Sequence, residues 1–255
     1  MRVKVAKALP VLAGAILLLV GCLDSKTVLT VNKDGSATLV QTLYMKPPQA
    51  GMNVKEKTLD EVKADCGKLA PMLGEGVTLK SATALEPRDQ WKGYKIVYAV
   101  PDVTKLKVGF MPAISPMMKT ESKDLLTFEF QGGAEPKLTV VRPPINAGGK
   151  QGDDEEAEPN PEMVKAFDGM RLAFEVCVNG TITSTNATTV NADKTGVVLL
   201  VEDVGGLIKD KEAYAAMKAL SKLKDPDAIR TQLKSALIQK YIKFEPEDKV
   251  TIQFK

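Results

Sequence analysis

The chain has 255 residues, 44% of them hydrophobic but only 5% aromatic, with 35 basic against 32 acidic side chains and no histidine. A net charge of +3 leaves no strong field to gather nucleic acid, and few aromatic residues leave few stacking platforms. The missing histidine removes the commonest general base, the commonest metal ligand and every Ser-His or Cys-His pairing.

The first element is a leader. Arg2, Lys4 and Lys7 give a basic start, and no charge follows from Ala8 to Gly21. That run of 14 residues is shorter than the ~20 that a membrane-spanning helix needs, and Pro10, Gly14 and Gly21 make it a poor core helix. It reads as a secretory signal peptide over residues 1–21. Leu19-Val20-Gly21-Cys22 then resembles the lipobox of bacterial lipoproteins. The resemblance implies cleavage between Gly21 and Cys22 and a diacylglyceryl group on the Cys22 thiol. Two or three acyl chains anchor stably, because each buried methylene contributes about 0.8 kcal/mol and one chain alone is marginal. Loss of Arg2, Lys4 and Lys7 with the leader removes the net positive charge. Leu23, rather than Asp, follows the cysteine. In a Gram-negative cell that favours the periplasmic face of the outer membrane over the inner membrane. Residues 22–26 are expected to be a short lipidated tether, holding the folded part against the headgroups.

Residues 27–142 read as a β-rich half with one helix. "TVLTVNKDGSATLVQTLYM" is a β-hairpin, with Asp34-Gly35 supplying the positive-φ turn. In "NVKEKTLDEVKADCGKLAPML", Leu59, Val62, Cys66, Leu69 and Leu73 recur every three or four residues. That spacing predicts an amphipathic helix ending near Pro71 and Gly74. Strands are predicted over 77–85, 91–100, 124–130 and 137–142. Between the second and third lies "KVGFMPAISPMMKTES", an apolar loop carrying Phe110, Met111, Ile114, Met117 and Met118. Broken by two prolines and without helical or strand period, it can dip into lipid, line a ligand entrance or tuck against the sheet.

Residues 143–162 form a linker rich in Gly, Pro and acid. Its cluster Asp153, Asp154, Glu155 and Glu156 lacks the alternating spacing and turn glycine of a calcium loop, so no metal is expected there. Residues 163–255 read as a second α+β half packing on the first. A short helix near Glu162–Phe167 precedes a strand in which Leu172, Phe174, Val176 and Val178 alternate. Asn179-Gly180 predicts a tight hairpin with a return strand, and 195–201 is another strand. A helix pair follows, with Tyr214, Met217 and Leu220 on one stripe and Ile229, Leu233, Leu237 and Tyr241 on the other. Asp225-Pro226 caps the second helix, and Val250, Ile252 and Phe254 mark a last strand. The fold class is therefore α+β, with antiparallel sheets built on hairpins.

With Cys22 lipidated, Cys66 and Cys177 remain as an even pair in an oxidising compartment. Cys66 falls on the helix stripe and Cys177 on the polar side of its strand. They form a disulfide if the helix covers that side of the sheet, and are otherwise two small buried thiols.

Three strings mimic the S-x-x-K, S-x-N and K-T-G of penicillin-binding enzymes: Ser221 to Lys224, Ser184 to Asn186, and Lys194 to Gly196. The string that should come first comes last, and the other two are ordinary turn residues. No catalytic residue, metal site or cofactor is expected. The blocks "VLTVNKDGSATL", "MVKAFDGMRLAFEVCVNGTITSTNATTV" and "KVTIQFK" resemble uncharacterised bacterial envelope lipoproteins and, more distantly, the LppM-type lipoprotein domain. The resemblance implies an exported, non-enzymatic α+β domain that binds a lipid or another envelope component. The alternative is a structural or assembly factor with an envelope protein as partner.

Overall fold

The structure, a computed structural model, describes residues 23–46, 57–89, 91–112, 125–143, 159–223 and 225–255. Among these are eleven strands in two largely antiparallel sheets and six α-helices, an α+β fold. Strands β1 (Leu23–Val31) and β2 (Ala37–Met45) form the expected hairpin, closed by Gly35 at φ 84°. Helix α1 (Leu59–Leu73) follows. It starts in a capping box, in which the Thr58 side chain accepts from Glu61 N–H and the Glu61 carboxylate accepts from Thr58 N–H. Val62, Cys66, Leu69 and Leu73 are buried as their spacing predicts.

Strands β3 (Thr78–Arg88) and β4 (Trp91–Val100) form a second hairpin. Strands β5 (Thr127–Gln131) and β6 (Lys137–Val141) form a third. After the short helix α2 (Pro161–Ala166) come β7 (Arg171–Val178), β8 (Ile182–Thr185) and β9 (Gly196–Asp203). Four helices follow: α3 (Val204–Lys209), α4 (Lys211–Ser221), α5 (Pro226–Leu233) and α6 (Ala236–Gln239). Strands β10 (Ile242–Phe244) and β11 (Lys249–Phe254) end the chain.

The large sheet has the order β10-β9-β7-β1-β2-β4-β3, the small one β5-β6-β11-β8. Each draws strands from both halves of the sequence, so the halves are interleaved. Pro87 lies in β3, an edge strand, beside an irregularity between Leu85 and Arg88. An edge tolerates a residue with no N–H to donate.

Four sequence expectations need correction. Leu23–Lys26 is not a tether: it is the start of β1, paired with β2 and, from Asp24, with β7, and Leu23 is 2% exposed. Strand β8 does not return beside β7 but pairs with β11 in the other sheet. Gly180 permits this by bringing its backbone against the C-terminal residue, where Thr181 and Lys255 exchange two backbone hydrogen bonds. Strand β7 instead pairs parallel to β1, a long-range choice that no local turn dictates. The expected helix pair becomes four helices: α3 precedes it, and Lys234 and Ser235 split the second stripe before Leu237.

Candidate functional site

The large sheet turns one face inward, onto α1, the small sheet and the chain after β4. Strand parity puts Ser25, Thr27 and Leu29 of β1 on this face. Leu39, Gln41 and Leu43 of β2, Ile96 and Tyr98 of β4, and Phe174 of β7 share it. Amid these apolar side chains, Thr27 and Gln41 stand directly opposite each other in the β1–β2 register. They are 1% and 0% exposed, and neither the Thr27 hydroxyl nor either polar atom of the Gln41 amide has a hydrogen-bond partner. Tyr98 lies diagonally across on β4, fully buried, and its hydroxyl, beside the Cys66 thiol of α1, also makes no hydrogen bond. Burial pushes both the phenol and the thiol above their ordinary pKa values, so both stay neutral.

Nearly all buried polar side chains in folded proteins are partnered, because an unmade hydrogen bond costs about 1–3 kcal/mol. Three such atoms on two facing residues mark a place where the fold gives up stability. Sequence parity carried the signal: Gln41 sits midway between Leu39 and Leu43 at strand spacing, so it must share their face.

The start of the apolar loop packs on the same inner face, beside this patch. Phe110 packs edge-on against Phe174, the register partner of Thr27, at 5.8 Å between ring centroids, and tilts against Phe244 at 6.2 Å. Met111 is half-buried against the same core. Phe110 and Met111 are therefore tucked against the sheet. Ile114, Met117 and Met118, the other expected contacts of this loop, lie outside the described residues, as do Gly21 and Cys22.

Cys66 and Cys177 are both free. Cys66 meets the inner face through Tyr98. Cys177 alternates with Val176 and Val178 and so points to the opposite face, its sulfur above Gly196. A seven-stranded sheet stands between the thiols.

Two further polar features flank the inner face. Glu202 of β9, in register with Leu172, is desolvated by its surroundings, and burial alone pushes its carboxyl up. At the small sheet's end, Arg142 is 4% exposed and stacks over Phe244 at 4.4 Å. It donates to the Glu247 carbonyl at 2.6 Å and reaches Asp248 at 3.6 Å. Arg230 of α5 meets the same Asp248 at 2.8 Å, so this network ties β6, α5 and the approach to β11 together and is structural. Among the described residues, no three Cys, Asp or Glu side chains gather as a metal site, and no helix is long and apolar enough to cross a membrane.

No protein-family model matches the chain, and no curated protein does. One solved structure is similar, the NMR structure of the folded domain of LppM from Mycobacterium tuberculosis. It shares 11% identity over 69% of this chain and 80% of that one, with a TM-score of 0.31. At that level it assigns nothing to individual residues here.

Proposed function

We propose that this chain is a non-enzymatic lipoprotein of the bacterial envelope, acylated on Cys22, whose α+β domain binds a lipid or another uncharged amphipathic envelope molecule. The lipobox Leu19-Val20-Gly21-Cys22 supports the anchor, and Leu23 after it favours the outer membrane in a cell that has two. The observation that carries the binding role is the Thr27–Gln41 pair, buried and unpartnered in an apolar face beside Phe174. A primary amide and a hydroxyl offer both donors and acceptors and no charge. An ester, amide or hydroxyl group attached to an acyl chain complements them.

The test is native mass spectrometry of the full chain purified from membranes, with lipid extraction, alongside Gln41→Leu and Thr27→Val. Binding predicts an adduct that survives in the parent and is lost in both variants while they remain folded. Absence of any adduct in the parent, with a stable protein partner found instead, would replace this reading by an assembly role.

A further inference from the structure

Strand β1 begins at Leu23, immediately after the anchoring position. Leu23 is already a ladder residue, in register with Met45, so one peptide bond of about 3.8 Å between Cα atoms separates the sheet from Cys22. If Cys22 is acylated, as the proposed function holds and on which this inference rests, no slack exists between fold and bilayer. One end of the large sheet must then meet the headgroups.

That end has an unusual composition. It holds the only tryptophan of the chain, Trp91, beside the β3–β4 turn. Lys46 extends over the Trp91 ring with its Nζ 4.9 Å from the centroid. Next to Leu23, Tyr44 carries the Arg88 guanidinium 3.8 Å above its ring. Arg88 also pairs with Asp24, Arg171 with Asp203 at 3.3 Å, and Lys46 with Asp168 at 3.3 Å. The carboxylates keep this end from being a strong cationic patch. It is instead a mixed-charge rim around two half-buried aromatic rings. Rings with one apolar and one polar side, flanked by long cations whose stems lie along them, suit the headgroup level of a bilayer. The opposite end of β1, at the Asn32–Gly35 turn, is about 30 Å away at ~3.4 Å per residue.

We propose that this end of the large sheet is a membrane seat. Trp91 and Tyr44 lie at headgroup level of a phospholipid bilayer, Lys46 and Arg88 reach its phosphates, and the small sheet faces away. Trp91 is its own reporter. The natively acylated chain is reconstituted into vesicles of phosphatidylethanolamine and phosphatidylglycerol and compared with unacylated Cys22→Ser in solution. The expected result is a blue shift of Trp91 emission, quenching by bromine-labelled lipid and loss of quenching by aqueous iodide. In Trp91→Phe carrying Lys33→Trp, the reporter at the far turn should keep full iodide quenching and show none from bromolipid. If intact mass shows acylated Cys22 while Trp91 stays open to iodide and untouched by bromolipid, the seat is wrong and the lipoprotein reading stands. If Cys22 carries no acyl chain, both fall.

Discussion

Thr27 and Gln41 face each other across the two central hairpin strands with no partner for three buried polar atoms. A binding site and a purely structural core predict opposite selection on such a pair. A core would replace it with apolar residues, whereas a site retains it at a cost. Gln41→Leu should therefore stabilise the ligand-stripped chain by about 1–3 kcal/mol, the cost of leaving a buried polar group unmet. For a domain of this size each kcal/mol raises Tm by about 2–4 °C. Thermal unfolding of parent and variant, both refolded from denaturant without lipid, checks this. A Gln41→Leu variant less stable than its parent would mean that the amide already has a partner.

Glu202 adds a pH dependence of definite sign. Its folded pKa lies above the ordinary 4.5 because burial disfavours the charged form. Below 4.5 the carboxyl is protonated whether folded or unfolded. As pH rises past that value, the unfolded chain ionises first, and stability falls until the folded carboxyl ionises as well. Glu202→Gln removes this loss. Urea unfolding at a series of pH values should show the variant gaining on the parent from about pH 4.5 upward and then holding a constant margin. Curves that run parallel throughout would place Glu202 in water.

Local chemistry was legible in the sequence, and long-range choice was not. The Asp34-Gly35 turn, the α1 stripe from Leu59 to Leu73 and the alternation from Leu172 to Val178 are set by neighbours within a few residues, and all three form. The parallel pairing of β7 with β1 and the departure of β8 to β11 depend on residues more than 60 positions apart. The start of β1 was hidden because its inward residues after Leu23 are Ser25 and Thr27, which read as polar positions. Gln41 was placed by its parity with Leu39 and Leu43, but its polar type gives no sign that the position is fully buried. Thr27 and Gln41 belong to the candidate site, where the alternation of apolar and polar side chains is broken on the inward side.

Gly180 and Gly67 offer a contrast between close approach and free space. A Cβ added at Gly180 would lie 2.3 Å from the Lys255 carbonyl oxygen, a backbone atom held by its pairing with Thr181. Gly180→Ala should cost about 1–3 kcal/mol as an overpacked contact. The loss should appear first as faster hydrogen exchange at the Thr181 and Lys255 amides. A Cβ at Gly67, exposed in the middle of α1, meets nothing within 4 Å. Gly67→Ala should stabilise by up to about 1 kcal/mol through helix propensity alone. Denaturant unfolding of the two variants should move in opposite directions, and a neutral Gly180→Ala would place the C-terminal residue away from the β7–β8 turn.

An oxidising compartment would favour a bond between Cys66 and Cys177, and the fold prevents it. Cys66 reaches the inner face of the large sheet at Tyr98, and Cys177 stands on the outer face above Gly196. A disulfide requires Cα atoms within about 7 Å, and side chains on opposite faces of one sheet point apart. Both thiols should stay reduced even in an oxidising compartment. Burial raises the pKa of each, so both react slowly when folded. Cys66, 3% exposed, should lag behind the more open Cys177. Alkylation of the chain purified from cells, unfolded without reductant and weighed intact, should add a label at Cys66 and another at Cys177. The native chain should label Cys177 first. No uptake until a reductant is added would reveal a bond, and would mean that α1 packs on the other face of the sheet.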